Sequence, residues 1–188
     1  MRRLFSYVVD HDYGFAPNPF GGFCTLAKCK YRKEGSLRRN IIELAEVGDW
    51  VVGTGGMDKA SAGHGKLIYA MRVDEKLTLA DYFNDRRFQG RGDNTPDESH
   101  RTDRFALISR HFFYFGRNAI DIGTVPTRHL THPLEKKGPS FRSNFSEKFI
   151  EDFAEWLERN YEIGVHGEPC GYKGESSARI RKRGQCKC

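Results

Sequence analysis

No apolar run in this 188-residue chain approaches the roughly 20 residues needed to span a bilayer. The start, Met1-Arg-Arg, leads only into Leu4 to Val9, too short for the core of a signal peptide. A soluble, cytoplasmic protein is the expectation. No strand is followed by Gly-x-Gly-x-x-Gly, and no Gly-x-x-x-x-Gly-Lys loop is present. Dinucleotide or nucleoside-triphosphate binding through those loops is thereby disfavoured. There is no internal repeat. Hydrophobic residues make up only 38%, whereas aromatic residues reach 13%, so the core should be built on large rings.

The five cysteines are odd in number and follow no secretory signal, which argues for reduced thiols. Cys24 and Cys29 lack the tight spacing of a zinc knuckle. His166, Cys170, Cys186 and Cys188 could in principle supply four ligands. A Cys-x-Cys pair at a chain end is more often unstructured, and neither a metal nor a cofactor is expected.

Net charge is +6 and unevenly spread. Lys28, Lys30, Arg32, Lys33, Arg38 and Arg39 form one cluster; Arg179, Arg181, Lys182, Arg183 and Lys187 form another. Clustered cations favour a polyanionic partner through counterion release, and otherwise serve as a solubilising tail or solvated loop. Lys28, Lys30, Arg38 and Arg39 are the candidate phosphate contacts.

Along the chain, strands are expected at Leu4 to Val9, Phe23 to Lys30, from Trp50, at Lys66 to Val73, at Arg104 to Ser109 and at His111 to Gly116. Gly48 and Asp49 should make a turn. Asp74 to Asp85 reads as a turn leading into a short helix, and Arg38 to Ala45 as another helix. Phe88 to Thr102, polar and rich in Gly, Asp and Asn, reads as a mobile insertion or lid. The clearest helix is Ser146 to Asn160, with Asn144 and Glu147 as a capping pair. Its stripe of Phe149, Ile150, Phe153, Trp156 and Leu157 is core packing. Ala119 to Pro139 reads as loop. Helices and strands do not alternate regularly, so the fold class is α+β with a curved or closed sheet, flanking helices and a C-terminal helix. Residues 1–160 form one domain, and 161–188 a weakly ordered basic tail.

Val9-Asp-His-Asp-Tyr-Gly-Phe-Ala-Pro-Asn-Pro-Phe20, Phe23-Cys-Thr-Leu-Ala-Lys-Cys29 and Val47-Gly-Asp-Trp-Val-Val-Gly-Thr-Gly55 are long, unusual strings. With Phe105 to Ser109, Tyr114-Phe-Gly116 and Arg142-Ser-Asn-Phe145, they resemble the nucleotide modification associated domain family, type two. That resemblance spans about Arg3 to Asn160 and implies a place in the DNA- or nucleotide-modification systems of bacteria and phages. Phe88 to Arg104 looks shortened beside longer relatives. A more distant resemblance, over Val47 to Asp85 only, is to PUA-like barrels of the EVE and ASCH types. It implies a cupped barrel that takes one flipped or modified base, or a nucleotide, in its cleft, walled by Trp50, Thr54, Gly55 and Gly56.

A base pocket needs a flat apolar face and fixed polar groups at the base edge. Trp50 could supply the face, and Asp10, Asn18, Thr25 or Thr54 the edge. Gly53, Gly55 and Gly56 would let backbone N–H groups come close to a ligand. The structural alternatives are a core tryptophan and a simple glycine loop. A catalytic reading would use Asp10, His11 and Asp12, or Cys24 with His11 or His111 as base. Against it, neighbouring strand residues face opposite ways, Asp side chains cap turns, and an apolar strand buries its thiol. The reading favoured is binding of a nucleotide or of a modified base in nucleic acid, without catalysis; the alternative is an enzyme acting on a base or nucleotide.

Overall fold

The computed structural model describes residues 2–27, 40–94, 104–138 and 140–172. The described residues form two sheets and three α-helices. The larger sheet holds β1 (Leu4–Val9), β3 (Trp50–Gly55), β4 (Lys66–Arg72), β7 (His111–Tyr114), β8 (Ile120–Asp121), β9 (Phe141–Arg142) and β10 (Gly164–Val165). Its order is β10-β7-β4-β3-β1-β9, with β8 paired to β4. The smaller sheet is β2 (Cys24–Leu26), β6 (Phe105–Ser109) and β5 (Glu75–Thr78), in the order β2-β6-β5. Among the described residues neither sheet closes on itself, so the mixed α and β class holds without a closed barrel.

The large sheet is covered on both faces, which is why β1 reads as a near-continuous apolar run. Leu4, Trp50, Val52, Ala70 and Phe113 face helix α3 (Glu147–Asn160). Phe5, Tyr7, Val51, Tyr69 and Met71 face the small sheet, through Cys24, Leu26 and Leu107, and helix α1 (Ile41–Leu44). The outer face of the small sheet carries Ala106 and Ile108 and is covered by helix α2 (Leu79–Asn84) and Phe88. The layers therefore run α3, large sheet, small sheet, α2.

The helix stripe packs as its spacing predicts: Phe149, Ile150, Phe153 and Leu157 are buried. The cap is Ser146 rather than Asn144, its hydroxyl accepting from Phe149 N at 3.2 Å and donating to His129 O at 3.0 Å. The carbonyl of Asn144 instead pairs with the ring of His132. The Gly48–Asp49 turn forms, with Gly48 at φ +93. Asp49 receives Arg3 N at 2.8 Å and the Arg3 guanidinium at 2.7 Å, which pins the start of β1 beside β3.

Four expectations are corrected. Asp74 to Asp85 includes a strand, β5, before α2, because Glu75 to Thr78 completes the small sheet against β6. Of the expected lid, Phe88 to Thr102, residues 88–94 pack into the fold with Phe88 and Asp93 fully buried, and 95–102 lie outside the described residues. Residues 161–172 belong to the fold, since β10 pairs in parallel with β7 and Tyr161 packs edge-on to Phe115 at 4.9 Å. The expected loop from Ala119 contains β8 and a 3-10 turn, Ile122–Thr124.

Trp50 sits deep between β3 and α3, 1% exposed, with the rings of His111 and Phe153 set nearly perpendicular to it. Emptying a site of that size costs about 3–5 kcal/mol. Trp50→Ala should therefore lower the unfolding free energy by about that amount in a urea titration. Unchanged stability would place the indole outside the core.

Candidate functional site

β1, β3, β7 and β10 all run in one direction, as their register with β4 and with one another requires. The segments that follow them therefore meet at one end of the large sheet. Successive backbone contacts tie these segments together: Asp12 N to Ala60 O at 2.9 Å, Gly171 N to Asp12 O at 2.8 Å, and Arg117 N to Glu168 O at 2.8 Å. Ser61 joins two of them, accepting from Gly56 N at 2.8 Å and donating to Val9 O at 2.6 Å.

This end holds a concavity of about 450 Å³. Lys59, Lys66 and Arg117 line it, with Ser61 and Cys170 as further polar groups and two alanines as apolar wall. Lys66 lies 3.7 Å from exposed Asp121, and Arg117 lies 3.6 Å from exposed Glu168. Lys59 makes no ion pair with a described residue. Exposed pairs of this kind hold their partners weakly, while Arg117 also donates to the Tyr172 carbonyl at 2.9 Å.

Beneath it lies Asp12, 1% exposed. Its carboxylate accepts from the Tyr114 hydroxyl and, at 3.0 Å, from Cys170 N. Burial raises the Asp12 pKa above the usual carboxylate value, while the Tyr114 and Cys170 hydrogen bonds pull it down. Burial, then the Asp12 charge, push the Cys170 thiol up to about 12, and the same two causes raise Tyr114. Cys170 is accordingly a protonated thiol at neutral pH, a hydrogen-bond group rather than a thiolate nucleophile.

A second polar cluster lies behind the small sheet. Asp93 accepts from Asn18 Nδ2 at 2.9 Å, Thr25 Oγ1 at 2.5 Å and Tyr82 Oη at 3.0 Å. Arg91 Nη2 donates to Asn18 O at 2.9 Å and to Thr25 Oγ1 at 3.0 Å, and Nη1 donates to Phe20 O. Burial raises the Asp93 pKa, opposed by Thr25 and by the Arg91 charge. This network ties the loop carrying Tyr13 to Phe23 onto the segment after α2. Breaking one partner of such a buried pair strands the other charge.

The sequence-derived site residues fall in different places. Asn18 and Thr25 are brought together, but their polar atoms serve Asp93 and Arg91. Thr54 is buried and bonds Tyr7 O at 3.2 Å. A Cβ on Gly53 would strike the Tyr69 ring, one on Gly55 the Gly63 carbonyl, and one on Gly56 the Asp10 carboxylate. The glycines thus admit neighbouring protein where a ligand was expected. Trp50 offers no free ring face. Asp10 is exposed and accepts from Met57 N at 3.1 Å, while His11 turns to Asp58 at 3.4 Å, so neither joins Asp12. Cys24 is fully buried, and burial pushes its thiol pKa up. His111 is held between Trp50, Phe113 and Glu158. Lys28, Lys30, Arg38 and Arg39, with Cys29, Cys186, Cys188 and the basic C-terminal cluster, lie outside the described residues. Among the described residues no group of three or more His, Cys, Asp or Glu is placed to hold a metal.

Lys59, Lys66, Arg117, Tyr114 and Cys170 were missed as a set, as were Arg91 and Asp93. Only Asp12 carried a signal, through its place in the Asp10-His11-Asp12 string.

A carboxyl with a folded pKa above its unfolded value, about 3.9, stabilises most below that value. The contribution is lost as pH rises through the folded value. Asp12→Asn keeps the position uncharged at every pH. The stability of the wild type relative to this variant should therefore decline as pH rises from about 4, read from urea midpoints across the range. A difference that grows in favour of the wild type with rising pH would contradict the assignment.

No curated protein and no solved structure matches the chain. The model of the nucleotide modification associated domain 2 family matches two stretches, residues 1–104 and 91–176. These take in every element described above, with both polar clusters and the cation-lined concavity. The chain therefore belongs to the nucleotide modification associated domain 2 family.

Proposed function

We propose that the protein binds a nucleotide, or a modified nucleobase in nucleic acid, and serves a nucleotide-modification system of bacterial or phage-defence type. The observation that carries this is the concavity lined by Lys59, Lys66 and Arg117 in a chain of this family. A compact set of cations beside small polar groups suits a phosphate with an attached organic body. The net charge of +6 favours the same class of partner. By analogy with PUA-like domains, a single base would be held at the end of the large sheet. Asp10, exposed and accepting from Met57 N, is the proposed base-edge contact, and Lys28, Lys30, Arg38 and Arg39, outside the described residues, are proposed as further phosphate contacts.

A second reading, an enzyme acting on the bound base or nucleotide, is favoured by one feature. Asp12 is a buried carboxyl with a raised pKa beneath the concavity, the kind of group that does acid–base work. Turnover of a nucleotide panel, with and without divalent metal, separates the two; product formation would favour the enzyme.

The binding reading is tested by calorimetric titration of nucleoside monophosphates into the wild type and into Lys59→Ala/Lys66→Ala. Each lost charged contact should weaken binding about tenfold, within the range of a charge-assisted hydrogen bond. Raising salt from about 50 to about 200 mM should also weaken it. Equal affinity in both proteins would remove the concavity as the phosphate site.

A further inference from the structure

The concavity accounts for a phosphate but leaves the organic part of the ligand without a surface. Trp50, the expected stacking ring, is buried in the core. A different aromatic residue lies beside the cations. Tyr13 follows buried Asp12 in the same loop and is 50% exposed. Its ring packs beside Gly171: a Cβ there would come within 2.4 Å of Tyr13 Cε1 and 2.9 Å of the Ala60 Cβ. Gly171 is the chain neighbour of Cys170, and Ala60 stands between Lys59 and Ser61, all three of them lining residues. The imidazole of His11 lies nearly parallel to the Tyr13 ring, with centroids 6.3 Å apart and planes 23° apart.

The loop is not free to swing away. Asp12 anchors one side of it, and Arg91 holds the Asn18 and Phe20 carbonyls on the other. The aromatic surface also continues. Phe20 is 37% exposed and lies 6.3 Å from the ring of Tyr172, whose carbonyl accepts from Arg117 at 2.9 Å.

A held, half-exposed ring at the rim of a cation-lined hollow is the arrangement by which proteins grip a base and its phosphate together. Resting on the binding reading above, we propose that Tyr13 is the stacking platform of this site, and that the ligand is a nucleoside phosphate. Its base lies on Tyr13, and its phosphate reaches Lys59, Lys66 and Arg117. Phe20 and Tyr172 offer a further face to a neighbouring base when the ligand is part of a single strand. Stacking tolerates any base, so this surface supplies affinity, and selectivity falls to groups at the base edge.

The experiment compares a nucleoside monophosphate with ribose 5-phosphate on the wild type, Tyr13→Ala, Tyr13→Phe and Gly171→Ala. Tyr13→Ala should weaken the monophosphate about tenfold, within the usual worth of one base–aromatic stack, and leave ribose 5-phosphate unchanged. Tyr13→Phe should restore the affinity. Gly171→Ala, which displaces the ring without removing it, should mimic Tyr13→Ala. Unchanged monophosphate affinity in Tyr13→Ala would overturn the platform while the phosphate site stands. Equal weakening of both probes would overturn it too, by making Tyr13 a support for the cations. A wild type that binds neither probe would remove both the platform and the function it rests on. A short single-stranded oligonucleotide forms the last arm. Tighter binding of it than of the monophosphate, weakened by Phe20→Ala, assigns the site to a strand; the reverse order assigns it to a free nucleotide.

Discussion

The buried carboxylate of Asp12 is the contact on which the candidate site depends. It draws together three parts of the chain: the loop after β1, Tyr114 at the end of β7, and Cys170 beyond β10. The backbone repeats the tie, through Asp12 N to Ala60 O and Gly171 N to Asp12 O. Taking a carboxylate out of water is costly unless its lone pairs are met by donors, and here donors come from segments far apart in sequence. Once those donors are in place, the positions of Cys170, Gly171, Ala60 and Tyr13 follow. The concavity is then the space left above the tie, with cations contributed from β4 and from the two segments after β3 and β7.

The rest of the architecture makes that end rigid. The large sheet is filled with rings and branched side chains on both faces, one against α3 and one against the small sheet. Behind the small sheet, Arg91 and Asp93 do for the 13–23 loop what Asp12 does for its start. Tyr13 thus lies on a loop held at both ends by buried charged groups. Loops that carry binding groups work best when a rigid scaffold fixes them in this way.

Much of the scaffold was legible in the sequence because it depends on local pattern. The Gly48–Asp49 turn, the strand from Trp50, the strand from Lys66 and the α3 stripe each declare themselves within a dozen residues. β5 did not, since Glu75-Lys-Leu-Thr78 is half-buried and polar and becomes a strand only by pairing with β6. The family resemblance read from the strings around Asp10, Phe23 and Val47 is the one to which the chain belongs. The site was far less legible. Asp12 and Cys170 are separated by 158 positions, and Thr25 and Asp93 by 68. Asp93 sits in a polar, glycine-rich stretch that composition alone assigns to a loop, yet its partners bury it completely. Trp50 invites a stacking role by its chemistry, and only the packing of α3 over β3 shows that its ring is already enclosed.

The central claim is that a nucleoside phosphate binds at the end of the large sheet where β1, β3, β7 and β10 finish. Chemical-shift mapping tests it most directly, by following backbone amide signals of the full chain as a nucleoside monophosphate is added. The account predicts saturable shifts confined to Tyr13, Lys59 to Lys66, Arg117 and Cys170 to Tyr172. Shifts gathered on another face, or none at saturating ligand, would contradict it.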